Sequence, residues 1–240
     1  MFKIINQMKT QIEIHPAQAQ ILVSLLFKKS AKFTRLNQTS LTNDHFSFHI
    51  NKLLSDKLIR KNISGEYELT KQGKEFANRF DTDNKLIERQ AKVDVLVLCV
   101  KKEGEKTKYL VQQRLKQPYF GFYGGITGKI RWGETIFEAA VRELNEEAGL
   151  AGKLSLAGIK HKMDYAKNGQ LLEDKFFFVI RVDKPAGQLK IRYPGGKNIW
   201  LTQEEIFALP NLFEGFAESL KIVNQEALYF SETKYKVRGY

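Results

Sequence analysis

Glu143, Glu146 and Glu147 lie in the stretch Gly128–Leu150, GKIRWGETIFEAAVRELNEEAGL, within about one helical turn of each other. Like charges at i, i+3 and i+4 repel by roughly 0.2–0.5 kcal/mol per pair. Such a cluster is unexpected in a chain whose formal net charge is +12. Clustered carboxylates beside an apolar face are hard oxygen ligands, suited to Mg²⁺ or Mn²⁺ rather than to a soft metal. A bound cation would remove the repulsion and leave positions open for water and phosphate. Taken alone, the same three glutamates could equally form a solvated acidic stripe.

The element that carries them has clear ends. Thr135 and Glu138 make the T-x-x-E pattern of a capping box, which starts the helix at Thr135. Gly149 follows Ala148 where a left-handed residue would end it, with Leu150 available for the accompanying apolar contact. At 100° per residue, Ile136, Phe137, Ala140, Val141, Leu144 and Ala148 share one broad apolar face. The three glutamates flank its edge, and Glu138 and Glu146 stand at i±4 from Arg142, positioned to pair with it.

The stretch fits the pattern G-x5-E-x7-R-E-U-x-E-E-x-G-U, where U is aliphatic. Gly128, Glu134, Arg142, Glu143, Leu144, Glu146, Glu147, Gly149 and Leu150 match it. This resembles the box of the Nudix family, and the resemblance extends over the last two thirds of the chain. It implies a hydrolase cleaving the pyrophosphate bond of a nucleoside diphosphate derivative with Mg²⁺ or Mn²⁺. By the same resemblance Glu143, Glu146 and Glu147 bind the metal and Gly128 supplies a backbone contact. Arg142 orients a glutamate and Glu134 supports the loop, so Glu143, Glu147, Arg142 and Glu134 form the catalytic set. Metal-bound water and charge stabilisation would carry the chemistry.

Two departures leave roles open. The run before the box, FYGGITGKI, lacks the proline many relatives carry. The loop YPGGKNIW has no carboxylate between Asp183 and Glu204, where many relatives place a further glutamate. The general base is therefore open among Asp164, Glu173, Asp174 and Glu143. In QPYFGFYGG, Tyr119, Phe122 and Tyr123 stand just before the box and could stack on a base, or serve as core aromatics.

Around the box, VDVLVLCV, KYLVQQR, KLSLAGIKHKMDY and KFFFVIRV read as strands. TQEEIFALP and EGFAESLKIVNQEALYF read as closing helices, which gives a mixed α/β domain. The first third has a different texture: three helices, then two short strands in LIRKNISGEYELT turning at Ser64-Gly65, then a helix in KQGKEFANRF. This order, with the phrases SFHINKL and YELTKQGKEF, resembles winged-helix domains of bacterial regulators. The expected fold is α/β: a winged helix-turn-helix at residues 1–80, a linker at 81–91, and a Nudix α/β/α sandwich with a mixed sheet at 92–240.

Between Lys28 and Lys61 eight basic and two acidic residues give a net +6, half of the formal charge. Such a surface suits phosphates of double-stranded DNA. The second helix would offer Ser47, Asn51 and Lys52 to the major groove, with Lys57, Arg60 and Lys61 on the wing side. The same unit could instead dimerise the chain or cap a substrate, and a homodimer is expected. Two functions follow: a hydrolase modulated by its front domain, or a transcriptional regulator sensing a nucleotide-sugar type ligand.

Composition bounds both. The single cysteine, Cys99, rules out an intrachain disulfide. The run ILVSLLF is too short to span a bilayer, and the opening residues lack a signal peptide's apolar core. A soluble cytoplasmic protein with no membrane partner is expected.

Overall fold

The computed structural model describes residues 14–37, 41–83, 87 and 89–240, and the chain divides into two units at Arg89/Gln90. Residues 1–13 and 38–40 of the expected front domain, and 84–86 and 88 of the expected linker, lie outside the described residues.

The front unit runs α1 (Pro16–Leu26), α2 (Phe33–Leu36), α3 (Asn43–Ser55), β1 (Ile59–Lys61), β2 (Tyr67–Leu69) and α4 (Lys71–Ala77). Pro16 occupies the first turn of α1, where its missing N–H costs nothing, and His15 caps it by accepting from the Ala17 amide. Thr42 and Thr70 cap α3 and α4 in the same manner. Phe46, Ile50 and Leu53 recur at helical spacing and are buried against Ile21, Leu22 and Leu58. The antiparallel β1–β2 hairpin pairs Ile59 with Leu69.

The second unit is built on a sheet ordered β11-β7-β8-β3-β4-β10-β9, with β5 joined to β4 and β6 joined to β3. Its long strands are β3 (Lys92–Glu103), β4 (Lys106–Arg114), β7 (Leu150–Tyr165) and β8 (Leu171–Gly187). Between them come β5 (Tyr123–Gly124), β6 (Ile126–Lys129) and α5 (Ile136–Ala148). β9 (Arg192–Tyr193), β10 (Gly196–Leu201), α6 (Gln203–Phe207), α7 (Phe216–Val223) and β11 (Tyr229–Lys236) follow. β3 with β8, and β7 with β11, are parallel; the remaining pairs are antiparallel, so the sheet is mixed.

β3 explains the layering. Val95, Val97 and Cys99 pack with Ala140, Leu144 and Ala148 of α5, while Leu96, Leu98 and Val100 pack with Ile206 of α6 and Leu220 of α7. Both faces of the strand are covered, which is why it reads as a continuous apolar run rather than an alternation. The result is an α/β/α sandwich.

The C-terminal region corrects the sequence-based expectation of one helix through Phe230. α7 ends at Val223, where Asn224 caps it, and Tyr229–Lys236 form β11 on the sheet edge. Among the described residues no helix is long and apolar enough to cross a membrane.

Candidate active site

Gly128 lies on β6, opposite Val95 of β3, and the chain then turns through Ile130–Glu134 into α5. Thr135 caps α5 by accepting from the Glu138 amide, and the Glu138 carboxylate returns a bond to the Thr135 amide at 2.8 Å. Gly149, at φ +69°, ends the helix in the left-handed region. These local signals place the helix end to end where its sequence predicts.

Its side chains are distributed differently from the simple wheel. Phe137 and Val141 are exposed, at 47% and 50%, whereas Glu147 is buried at 8%. The inward face is Ala139, Ala140, Leu144, Glu147 and Ala148. Glu138 is committed to the cap, so Arg142 does not pair with it.

Arg142 instead makes a bracket between loop and helix. Its Nε donates to Glu134 Oε1 at 2.6 Å and one Nη to Glu134 Oε2 at 2.9 Å, a two-pronged bond, while the same Nη reaches the Lys129 carbonyl at 3.0 Å. The other Nη donates to Glu143 Oε1 and lies 3.6 Å from Glu146. The Arg142 guanidinium, helped by the Arg131 amide, pulls the Glu134 carboxyl down to about 2. Glu134 in turn raises the Arg142 pKa further.

Glu143 is seated directly on Gly128. A Cβ at position 128 would fall 1.9 Å from Glu143 Cδ and 2.0 Å from its Oε1. Only glycine leaves room for that carboxylate. The direct donor to Glu147 is neutral, Gln112 Nε2 on β4 reaching its Oε2 at 2.9 Å, while the Lys116 ammonium stands 3.9 Å from Oε1. Asn198 on β10 donates to the Glu147 carbonyl at 2.8 Å and lies 3.4 Å from Gln112 Nε2. Burial raises the Glu147 pKa above the usual carboxylate range against the pull of Gln112 and Lys116. Glu146 is exposed, 3.8 Å from Arg131.

Among the described residues no three His, Cys, Asp or Glu side chains converge as a ready-made metal cage. The expected ligands Glu143, Glu146 and Glu147 are therefore neighbours on one helix rather than a closed shell: Glu143 faces Arg142, Glu146 faces solvent and Glu147 faces Gln112. The donor set nevertheless fits a hard divalent ion. It is all carboxylate oxygen, and Glu147 is a buried acid whose hydrogen-bond donor among the described residues is a neutral amide.

A cavity of about 290 Å³ adjoins this module at Gln112, Thr127 and Lys129. The box glutamates do not line it; Gln112 joins the two spaces, reaching Glu147 from the cavity wall. Inside are Lys160, Lys162, Asp164 and Glu173, all at least nine-tenths buried. Lys162 bonds Asp164, Tyr119 Oη donates to Asp164 at 2.8 Å, and Lys160 is 2.7 Å from Glu218. Burial lowers the pKa of both lysines. Burial pushes Glu173 up, but its 2.7 Å bond to Lys92 and the nearby Lys175 outweigh it and hold its pKa low. Asp94 Oδ1 and Glu214 Oε2, both in residues lining the cavity, are buried without a hydrogen-bond partner.

Of the aromatics expected to contact substrate, Tyr119 lines the cavity. Phe122 packs behind it against Tyr119 and Phe213, and Tyr123 packs against the α6–α7 core. Of the open candidates for the base, Asp164 and Glu173 are bound to lysines, and Asp174 accepts from or shares a proton with His161 Nε2 at 2.8 Å. Only Glu143 lies in the loop–helix module. Gln112 and Asn198 carry no sequence signal, being amides on apolar strands, and Lys116 is one of many lysines in the chain.

In the front unit Asn51, Lys52, Lys57, Arg60 and Lys61 are exposed and Ser47 is half-buried. Lys52 pairs with Asp56 at 2.9 Å and Arg60 with Glu68 at 2.7 Å, so two of the four expected phosphate ligands already have anionic partners.

A bracketed carboxylate helix seated on a glycine strand, in an α/β/α sandwich with a mixed sheet, defines the class of domain. The chain belongs to the Nudix family: the NUDIX domain model matches residues 90–221, more than half of its length. An ADP-ribose pyrophosphatase of Methanocaldococcus jannaschii is 34% identical over 84 residues, 35% of this chain. That match spans 47% of the curated relative, about half its length. A MutT protein from Bacillus halodurans superposes with a TM-score of 0.51 at 22% identity, over 60% of this chain and 90% of that one. The NUDIX domain of Shewanella oneidensis NrtR, solved with ADP ribose, gives 0.50 at 14% identity, over 64% of this chain and 96% of that one. These two structures share the fold.

Proposed function

We propose that the second unit hydrolyses the pyrophosphate bond of a nucleoside diphosphate derivative, with Mg²⁺ or Mn²⁺ held by Glu143, Glu146 and Glu147. The observation that carries this is the Glu143 carboxylate seated on Gly128 and bracketed by Arg142 and Glu134. A loop–helix of solvated acids would need neither the missing Cβ nor the two-pronged arginine. ADP-ribose is the first substrate to try, because the curated relative is an ADP-ribose pyrophosphatase.

When bound, the cation neutralises phosphate charge and acidifies a water. The chain's own residues do the rest. Arg142 and Glu134 hold the loop against the helix, so that Glu143 keeps one orientation. Arg142 occupies Glu143 Oε1, so where Glu146 and Glu147 carry the cation the other Glu143 oxygen is free to accept the proton of the attacking water. That water's oxygen bonds phosphorus as the bridging P–O bond breaks, and the leaving phosphate carries away the electron pair. Lys129 and Arg114, both at the cavity wall, supply positive charge for the phosphates. The cavity takes the moiety beyond them, with Tyr119 as one wall.

The test is release of phosphate-bearing products from ADP-ribose and other nucleoside diphosphate derivatives with Mg²⁺ or Mn²⁺. No product from any member of the panel, with folded protein, would refute the assignment.

The front unit supports a second role, a regulator that binds duplex DNA through a winged helix. The observation in its favour is the exposed set Asn51, Lys52, Lys57, Arg60 and Lys61 on and beside α3. Four phosphate contacts would give log K against log salt a slope of about −3.6. The measurement is a salt titration on genomic duplex fragments, and no binding at ~50 mM salt would sink this role. The unit would then serve as the dimerising or capping module, which sedimentation of the whole chain would reveal.

A further inference from the structure

Two buried oxygens on the cavity wall have no hydrogen-bond partner among the described residues, Asp94 Oδ1 and Glu214 Oε2. Asp94 is only 6% exposed. On β3 it shares a face with Leu96 by strand alternation, and both residues line the cavity. The register sets Asp94 opposite Lys129 of β6 on one side and Phe177 of β8 on the other, and those two also line the cavity. Glu214 stands in the loop before α7. Its Oε1 accepts from the Arg238 amide and from Arg238 Nε, each at 3.2 Å, which leaves Oε2 without a donor.

A buried carboxyl oxygen without a donor is unfavourable in the empty protein, and on a cavity wall it calls for a ligand that donates. Burial raises the Asp94 pKa against the pull of Lys175, Lys129 and Lys92, so a donated bond would favour its charged form. The cavity's other charges restrict what that ligand is. Lys162 is bound to Asp164, Lys160 lies 2.7 Å from Glu218, and Lys92 and Lys175 lie 2.7 and 3.5 Å from Glu173. These ammonium groups already have anionic partners, so a further phosphate or carboxylate would meet Asp94 and Glu214 without an unpaired cation among them. A nucleobase edge presents donors and acceptors at fixed angles in one plane, whereas both unpartnered atoms here are acceptors. A hydroxyl suits them: it rotates, gives its proton to the carboxylate and keeps its lone pairs for water.

We propose that the cavity takes a neutral, polyhydroxylated moiety, a sugar on the far side of the pyrophosphate from the nucleoside, and that Asp94 and Glu214 select it by accepting its hydroxyls. The place of Asp94 fits this role. Lys129, directly across the β3–β6 ladder, is one of the cations assigned to the phosphates, so hydroxyls next to the phosphate ester come within reach of Asp94. This rests on the pyrophosphate-cleaving function proposed above and names the end of the substrate that the cavity reads.

The experiment is calorimetric titration of the whole chain in EDTA, so that neither metal nor turnover enters. ADP-ribose and ADP-glucose are compared with ADP, which lacks the sugar, and with ATP, which has a phosphate in its place; UDP-glucose, UDP and UTP form a second series. In at least one series the sugar-bearing ligand should bind about tenfold tighter than both the diphosphate and the triphosphate. Asp94→Leu removes an unpartnered oxygen and keeps the volume, so melting should stay at or above wild type. The same variant should weaken the sugar-bearing ligand about tenfold and leave ADP or UDP unchanged. Glu214→Gln, which keeps an oxygen for Arg238 and turns the unpartnered atom into a donor, should act in the same direction. No preference for the sugar in either series overturns the proposal, as does unchanged preference in Asp94→Leu. Equal losses for ADP and ADP-ribose in that variant would put the base or a phosphate in the cavity and overturn it too. Should Asp94→Leu melt far below wild type, the residue is structural and the proposal falls. Sugar-selective binding without product release on adding Mg²⁺ or Mn²⁺ would refute the hydrolase and leave this binding role standing, whereas turnover without sugar-selective binding would overturn this inference alone.

Discussion

Gly128→Ala separates the seat of Glu143 from the stability of the fold. The added Cβ would stand 1.9 Å from Glu143 Cδ and 2.3 Å from Cγ. Comfortable carbon–carbon contact is about 3.5 Å, so the carboxyl must retreat by roughly 1.5 Å. The obstacle is the far end of a flexible side chain, not backbone, and Gly128 is outside the positive-φ region. The strand can therefore accept alanine, and the variant should melt within a few degrees of wild type. At compatible positions Gly→Ala gains about 0.4–1 kcal/mol through the unfolded chain, which offsets part of the rearrangement. Activity should respond very differently. A catalytic group displaced by about 1 Å can cost about 10²-fold, equivalent to about 2.7 kcal/mol in the barrier. The assay is kcat/KM on the best substrate at saturating Mg²⁺, with melting curves recorded on the same samples. A folded Gly128→Ala protein with wild-type kcat/KM would show that Glu143 does not need its seat, and the catalytic assignment of that residue would fall.

Glu147→Gln keeps the shape and the Gln112 neighbourhood but removes an anionic ligand, so turnover should drop by about 10²-fold or more while the fold survives; unchanged turnover would refute the role of Glu147. Glu134, held at about 2 by Arg142 and the Arg131 amide against an ordinary 4.5, should contribute stability that is complete above pH ~4.5 and lost as pH falls towards 2. The acid-side fall in melting temperature should accordingly be steeper for wild type than for Glu134→Gln, and parallel profiles would contradict the bracket. Cys99 is buried between β3 and α5 with its thiol pushed up to about 12, so an aromatic disulfide reagent at pH 8 should label it only after unfolding. Fast labelling of the native chain would show that this core opens.

What could be read from sequence was what is written locally. The capping box at Thr135 and Glu138, the left-handed stop at Gly149 and the apolar run of β3 each depend on neighbours within a few residues, and each is found in the structure. The C-terminal helix expected from sequence overruns the observed one because ESLKIVNQEAL keeps a helical rhythm through Asn224, whereas β11 depends on the ladder that the edge of β7 offers it. The phase of α5 departs from the hydrophobic wheel for a related reason. A wheel weighted by hydrophobicity turns Phe137 and Val141 inward and leaves Glu147 at the rim. The helix is instead rotated by what waits beneath it, a glutamine on β4 and an asparagine on β10, 35 and 51 residues away in the chain. Those amides are individually mute in sequence. Gln112 gives the buried carboxylate a bond without a charge, and Asn198 secures the backbone carbonyl of the same residue. The box motif names which acids are present, and the distant amides decide which of them stays electrostatically unspent. That difference, Glu134 held by a guanidinium and Glu147 by a neutral amide, is the physical basis for proposing that the first builds the site and the second holds a cation in it.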